Sequence, residues 1–196
     1  MEVFKINPNN PDMDLINEAI NILSLGGVVL YPTDTVYGLG ANIFDKYAVK
    51  RIYNIKKRSP IKPISICVSN IEGASVVANL TEKQYDILVE WLPGPFTFIL
   101  NKKPVVPDYI TPKTYTVGVR VPDSKISRML SCNFPITTTS ANLSNLETLN
   151  NPKDILNQLN EDVDLVIDVG TLEKKKPSTI VDLTKINPVV IRDRNP

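Results

Sequence analysis

The sequence predicts an α/β protein of the α+β type, a twisted mixed β-sheet flanked by helices. Three observations predict it. Short apolar runs such as Val28-Val29-Leu30-Tyr31 and Pro63 to Val68 have strand length and end at turn residues. Between them lie segments whose apolar residues recur at helical spacing. The two kinds alternate irregularly, with several strand-to-strand steps, so parallel and antiparallel neighbours should mix rather than wind regularly. With 196 residues, 42% of them hydrophobic, a single domain over 1–196 with a sizeable core is the natural organisation.

In chain order, Val3 to Ile6 is a short strand and Asn7 to Pro11 a turn. Asp12 or Asp14 caps a helix carrying Leu15, Ala19, Ile22 and Leu23, ended by Gly26-Gly27. The Val28–Tyr31 strand stops at Pro32. Thr33, Asp34 and Thr35 follow, and Gly38 and Gly40 allow a tight or positive-φ backbone. Asp45 caps a helix with Ala48, Val49, Ile52 and Ile55 on one face. Pro63 to Val68 is a strand and Ser69 to Val77 a short helix. Thr81 begins a helix with the stripe Tyr85, Leu88, Val89 and Leu92, broken by Pro93-Gly94-Pro95. Phe96 to Leu100 and Thr116 to Val121 are strands. Lys102 to Lys113, with its prolines, is an irregular, mobile loop between them. Ser124 to Ser131 is a helix, Pro135 to Thr139 strand-like, Asn145 to Pro152 polar loop and Asp154 to Leu159 helical. Val163 to Val169, Thr179 to Leu183 and Val189 to Ile191 are strands, and Lys174 to Lys176 form a solvated turn.

Several function classes drop out. Net charge is +1, from 22 basic and 21 acidic residues, so bulk charge makes no case for nucleic acid or membrane. There is no histidine, which removes the usual general base and the commonest metal ligand. Cys67 and Cys132 stand far apart, so neither a zinc site nor a disulfide scaffold is expected. The N-terminus has no signal pattern and no run reaches membrane-spanning length, which places the chain in the cytoplasm. What remains is a set of hydroxyls, amides and cations at strand ends. The Thr33–Thr35 turn, Lys56-Lys57-Arg58 at a helix end, Arg120, the Thr137–Ser140 run with Asn142, Ser178 and Arg192 make up this set. A helix dipole alone would also favour the lysines and arginine. As a set, such residues suit catalysis by positioning and charge neutralisation, as in transfer at phosphorus. A bound nucleoside triphosphate would bring Mg²⁺, held mostly by phosphates and water, with no protein-ligated metal.

Six segments occur in one order: Tyr31-Pro32-Thr33-Asp34-Thr35-Val36-Tyr37-Gly38-Leu39-Gly40, Lys56-x-Arg58, Pro93-Gly94-Pro95-x-Thr97, Val119-Arg120-x-Pro122, Ser140-Ala141-Asn142-Leu143-Ser144 and Pro177-Ser178-Thr179-Ile180-Val181-Asp182. In this the chain resembles the YrdC-like family, the threonylcarbamoyl-AMP synthases, from about Leu15 to Arg192. The resemblance implies a twisted mixed sheet with a basic concave groove. It implies joining of L-threonine, bicarbonate and ATP into L-threonylcarbamoyl-adenylate with release of pyrophosphate. A separate transferase complex would then modify tRNA to N6-threonylcarbamoyladenosine. Since the chain stops just after Arg192, the single-domain form is expected.

By the same resemblance, L-threonine would meet Thr33, Thr35, Arg120, Thr138 and Ser178. ATP would meet Lys56, Arg58, Lys62, Thr116, Ser140, Asn142 and Arg192, with Lys56 and Arg58 in the catalytic role. Three positions depart from the family pattern. Cys67 stands where many members have histidine, which bears on threonine contacts. Asn145 stands where glycine is usual, and Arg194 where a glycine follows the final arginine. The alternatives are a paralogue that binds nucleotide or RNA with little threonine-dependent activity, or a module whose main role is RNA binding. The net charge of +1 and the absence of an RNA motif argue against RNA binding as the main role, though a weak tRNA contact is compatible with them.

Overall fold

The structure, a computed structural model, describes residues 1–161 and 163–193. Its strands form two mixed sheets rather than one. In the first, β1 (Glu2–Lys5) and β2 (Val29–Tyr31) run parallel to β10 (Leu165–Asp168), which lies between them. β3 (Gly38–Gly40) is antiparallel to β2, and β9 (Thr139–Ser140) antiparallel to β3. The second has the order β12 (Val189–Arg192), β11 (Thr179–Asp182), β6 (Phe96–Lys102), β7 (Thr116–Arg120), β4 (Ile66–Cys67), β8 (Ile136–Thr137). A two-residue strand, β5 (Ala78–Asn79), joins the side of β6. The chain passes from one sheet to the other through Thr138, whose N–H donates to Ser65 O at 2.7 Å. That junction divides the predicted Pro135–Thr139 strand into two short strands with different partners.

β2 is buried on both sides, as its unbroken apolar run requires. Its residues alternate between two cores. Val29 and Tyr31 pack with Ile16, Leu23, Ile126 and Leu130. Val28 and Leu30 pack with Leu39, Val49, Ile52 and Phe98.

Three helices start at the predicted caps, Asp12, Asp45 and Thr81, whereas the last begins two residues before the expected Asp154. Asp12 caps α1 (Met13–Ser24), and Asp45 caps α2 (Lys46–Ile55) by accepting from Tyr47 N and Ala48 N at 2.8 and 2.9 Å. α2 buries Ala48, Val49, Ile52 and Ile55. Asn70 caps α3 (Ile71–Val77), and Thr81 with Gln84 forms a capping box on α4 (Glu82–Trp91). Ser124 caps α5 (Lys125–Leu130), and Asn151 caps α6 (Pro152–Leu159). The α4 stripe is narrower than its apolar spacing predicts. Leu88 and Leu92 are buried, but Tyr85 and Val89 face solvent. The loop from Lys102 to Lys113 is irregular but anchored, which corrects the expectation of mobility. Val106, Ile110 and Thr111 are buried, and Ile64 N–H donates to Ile110 O at 2.9 Å. Asn145 adopts the left-handed conformation, with φ 71°. Arg194 lies outside the described residues. Among the described residues, no helix is long and apolar enough to cross a membrane.

Gly38 and Gly40 serve a purpose other than the turn expected of them. Both lie in β3 without positive φ, against the buried ring of Tyr31. A Cβ on Gly40 would stand 2.9 Å from Tyr31 Cε1, and one on Gly38 3.3 Å away. Tyr31 cannot yield easily, because its hydroxyl donates to Thr137 O at 3.2 Å across the two sheets. Gly40→Ala should therefore destabilise the fold by about 1–3 kcal/mol through overpacking, and Gly38→Ala by less. Urea denaturation of the two variants measures the difference.

Candidate active site

The two sheets and the segment after α2 enclose one cavity of about 400 Å³. Its floor is three neighbouring strands, β11, β6 and β7, which with Ser178 just before β11 present Thr97, Thr116, Gly118 and Arg120. A Cβ on Gly118 would lie 2.4 Å from Ser65 Oγ, so that hydroxyl would have to turn away. Thr97 and Ser178 are both buried and share a hydroxyl hydrogen bond of 2.8 Å. From the edge strand β12, Arg192 donates through Nε and Nη2 to Ser178 O at 3.1 and 2.6 Å. Burial, together with the Arg120 charge nearby, holds the Arg192 guanidinium below its ordinary range.

One wall is the turn from Thr33 to Gly38. Thr33 Oγ1 donates to Val36 O at 2.6 Å and accepts from the N–H groups of Thr35 and Val36 at 3.1 and 3.2 Å. The hydroxyl thus builds the turn that it lines. Thr138, Thr139 and Ser140 form the adjoining wall, held by β3–β9 pairing. Arg58 and Lys62 close the opposite side. They reach it because the chain leaves α2 through Lys57 in a left-handed conformation, φ 47°, and Tyr53 hydroxyl donates to Lys62 O at 3.0 Å. Arg58 Nη2 donates to Pro63 O at 2.9 Å, while its Nε is buried without a partner.

Arg120 carries the strongest local interaction. Its Nη2 donates to Asp34 Oδ1 in a close ion pair and to Thr35 Oγ1 at 2.8 Å. The two charged side chains are 6% and 11% exposed, so the pair is largely desolvated. Among the described residues, the cavity wall therefore carries Arg58, Lys62, Arg120 and Arg192 and no carboxylate, with Asp34 paired to Arg120 outside the wall. Such a site suits an anion with several charged oxygens. Among the described residues, no group of three His, Cys, Asp or Glu side chains is placed to hold a metal ion.

The predicted residues that reach the cavity wall are Thr33, Arg58, Lys62, Thr116 and Arg120 from the first half of the chain, and Thr138, Ser140, Ser178 and Arg192 from the second. Thr35, Lys56 and Asn142 stand behind the wall. Thr35 is 1% exposed and holds Arg120, while Lys56 and Asn142 hold each other. Burial, and next the Arg58 charge, pull the Lys56 amine down to about 7. Cys67 does not reach the cavity. It is 0% exposed and faces the α1–α5 core, its Sγ 3.6 Å from Ser131 Oγ. Burial pushes its thiol up to about 12. Cys67 itself therefore makes no direct contact in the cavity. Lys174 and Lys175 are paired with exposed Glu147 and Glu173, as a solvated turn should be.

Asp34, Ser65 and Thr97 were missed as site residues. Asp34 and Thr97 lie inside quoted segments, but their partners, Arg120 and Ser178, are more than eighty positions away. No local signal in the sequence links them.

Two outcomes test this geometry. Asp34→Ala leaves a buried guanidinium uncompensated and should cost about 3–5 kcal/mol of stability, measured by urea denaturation. A thiol reagent should modify only Cys132 in the folded protein, because Cys67 is buried and held protonated. Denaturation should expose the second thiol.

A family model named for Sua5, YciO and YrdC, with the description telomere recombination, matches residues 21–193. A Methanocaldococcus jannaschii protein named "Putative threonylcarbamoyl-AMP synthase" is 43% identical over 171 residues, covering 86% of this chain and 80% of that protein. The crystal structure of Pyrococcus abyssi Sua5 complexed with L-threonine is 32% identical, with a TM-score of 0.91. The match covers 98% of this chain and 57% of that one. The crystal structure of Escherichia coli YciO is 35% identical with a TM-score of 0.90, covering 98% of this chain and 96% of that one.

Proposed function

The chain belongs to the Sua5–YciO–YrdC family, and from that premise we propose that it makes L-threonylcarbamoyl-adenylate from L-threonine, bicarbonate and ATP, releasing pyrophosphate. The product would be consumed by a separate complex that transfers the threonylcarbamoyl group to tRNA. The observation that carries this reading is a cavity whose described wall residues bring Arg58, Lys62, Arg120 and Arg192 and a rim of hydroxyls, with no carboxylate among them. The M. jannaschii relative's name supports the reaction, and the L-threonine complex of the P. abyssi protein supports the amino-acid half.

The chemistry needs no histidine. The free amine of threonine combines with bicarbonate to give a carbamate and water. A carbamate oxygen then forms a bond to the α-phosphorus of ATP, and the bond from that phosphorus to the bridging oxygen breaks. Pyrophosphate leaves with its electron pair. Arg58, Lys62 and Arg192 would hold triphosphate oxygens in line with the carbamate, and Arg120 would hold the threonine carboxylate. Thr35 and Asp34 would act through Arg120, by fixing its guanidinium. Thr116 and Ser140 would flank the nucleotide, with Thr33, Thr138 and Ser178 around the amino acid. Among the described residues the wall has hydroxyls and cations rather than carboxylates, so a Mg²⁺ there would be held by the triphosphate and water. Bound in that way, Mg²⁺ would supply further charge neutralisation on the phosphates.

The alternative is a paralogue that holds nucleotide in the same cavity and turns over little with threonine.

Pyrophosphate release with ATP and Mg²⁺ separates the two. Release that requires both L-threonine and bicarbonate, and falls with L-serine, supports synthesis. Nucleotide binding without threonine-dependent turnover supports the second reading. In the active protein, Arg58→Ala should lower kcat/KM by roughly a hundredfold or more while the fold persists. Thr35→Ala should raise the KM for threonine more than that for ATP, because the lost hydroxyl supports Arg120.

A further inference from the structure

Lys56 is 2% exposed, and its surroundings explain how a lysine is tolerated there. Its Nζ donates to Ser140 O, to Asn142 O at 2.7 Å and to Asn142 Oδ1 at 3.3 Å. An ammonium has three N–H donors and no acceptor, so its donor capacity is spent on one turn. Its backbone grips the same segment, since Ser144 N–H donates to Lys56 O at 2.9 Å. The turn's own bonds converge on the same atoms. Ser140 Oγ donates to Asn142 Oδ1 at 2.6 Å, and Asn142 Nδ2 donates to Leu143 O and Leu146 O at 2.9 and 2.7 Å. Lys56 therefore ties the end of α2 to the turn that continues β9. β9 supplies Thr139 and Ser140 to the cavity wall.

We propose that Lys56 is a positioning residue that clamps the Ser140–Asn142 turn against α2, holding Ser140 at the cavity without itself touching substrate. It rests on the reading of this cavity as a nucleotide and amino-acid site, and it changes the role expected of Lys56 from contact to support. The residue type follows from geometry. Three oxygens of one turn converge on a single point, which a compact ammonium satisfies and a flat guanidinium does not. A neutral side chain of equal length would strand buried carbonyl groups. The left-handed Lys57 then lets two residues of the same helix end diverge, Lys56 into the turn and Arg58 onto the wall.

The test is native-state hydrogen exchange on the ligand-free protein, comparing wild type with Lys56→Met. Exchange at Ala141, Asn142 and Ser144 should accelerate by about tenfold or more, while the α1 amides keep their rates. In a Cys67→Ala, Cys132→Ser background, Lys56→Cys alkylated with 2-bromoethylamine in urea and then refolded carries an amine at the same reach. It should recover both turn protection and threonine-dependent pyrophosphate release. Should Lys56→Met not fold, the cysteine variant before and after alkylation gives the same comparison. Wild-type protection of the turn in Lys56→Met would overturn the proposal, and lost activity with that protection intact would assign Lys56 to substrate contact. If the wild type shows no threonine-dependent turnover, the proposed reaction fails, but the exchange rates still decide the role of Lys56.

Discussion

The ion pair between Arg120 and Asp34 joins the two sheets at the point where the cavity forms. Asp34 sits in the turn leaving β2, and Arg120 ends β7 in the other sheet. Removing either charge from water is costly, and the pair persists because Thr35 accepts a second bond from the same guanidinium. The consequence reaches beyond the pair. With Asp34 paired to Arg120 outside the wall, three further cations can face the same space without all four charges standing unopposed. A wall with no carboxylate among its described residues is then open to a ligand that brings its own negative charge.

Each wall of the cavity has a local reason to be rigid. Thr33 spends its hydroxyl on the turn, Thr97 and Ser178 bond each other, and Arg192 is held on Ser178. Lys56 secures the remaining turn. Catalysis by positioning needs such a frame, because it has no nucleophile or base of its own to compensate for a misplaced reactant. The absence of histidine from the chain fits this division of labour. In the proposed reaction the reacting groups would belong to the substrates, and the protein would supply charge and geometry.

Much of this was legible from residue order, for physical reasons. Helix starts at Asp12, Asp45, Thr81 and Ser124 rest on caps within three residues of their partners, so the signal is local. The burial of β2 follows from an apolar run with no polar interruption. Arg58, Arg120 and Ser178 stood out because they lie inside recognisable segments, and all three line the cavity. What escaped depends on contacts across the fold. The aromatic ring that demands Gly38 and Gly40 lies on a neighbouring strand. Tyr85 and Val89 have the right spacing for a core face, but α4 meets the sheet through Leu88 and Leu92. Cys67 was read as bearing on threonine contacts, yet its side chain packs in the core beside Ser131, away from the cavity wall. Lys56 and Arg58 read as one basic cluster, and only the left-handed residue between them separates a buried clamp from a cavity cation.

The central claim is that this cavity joins threonine and bicarbonate carbon to an adenylate. Incubating the protein with ATP, Mg²⁺, L-threonine and ¹³C-bicarbonate, then reading the nucleotide products by mass spectrometry, tests it most directly. The account predicts a threonylcarbamoyl-adenylate carrying one ¹³C, formed only when threonine is present. An adenylate without the label, or no threonine-dependent adenylate from a protein that binds ATP, would contradict it.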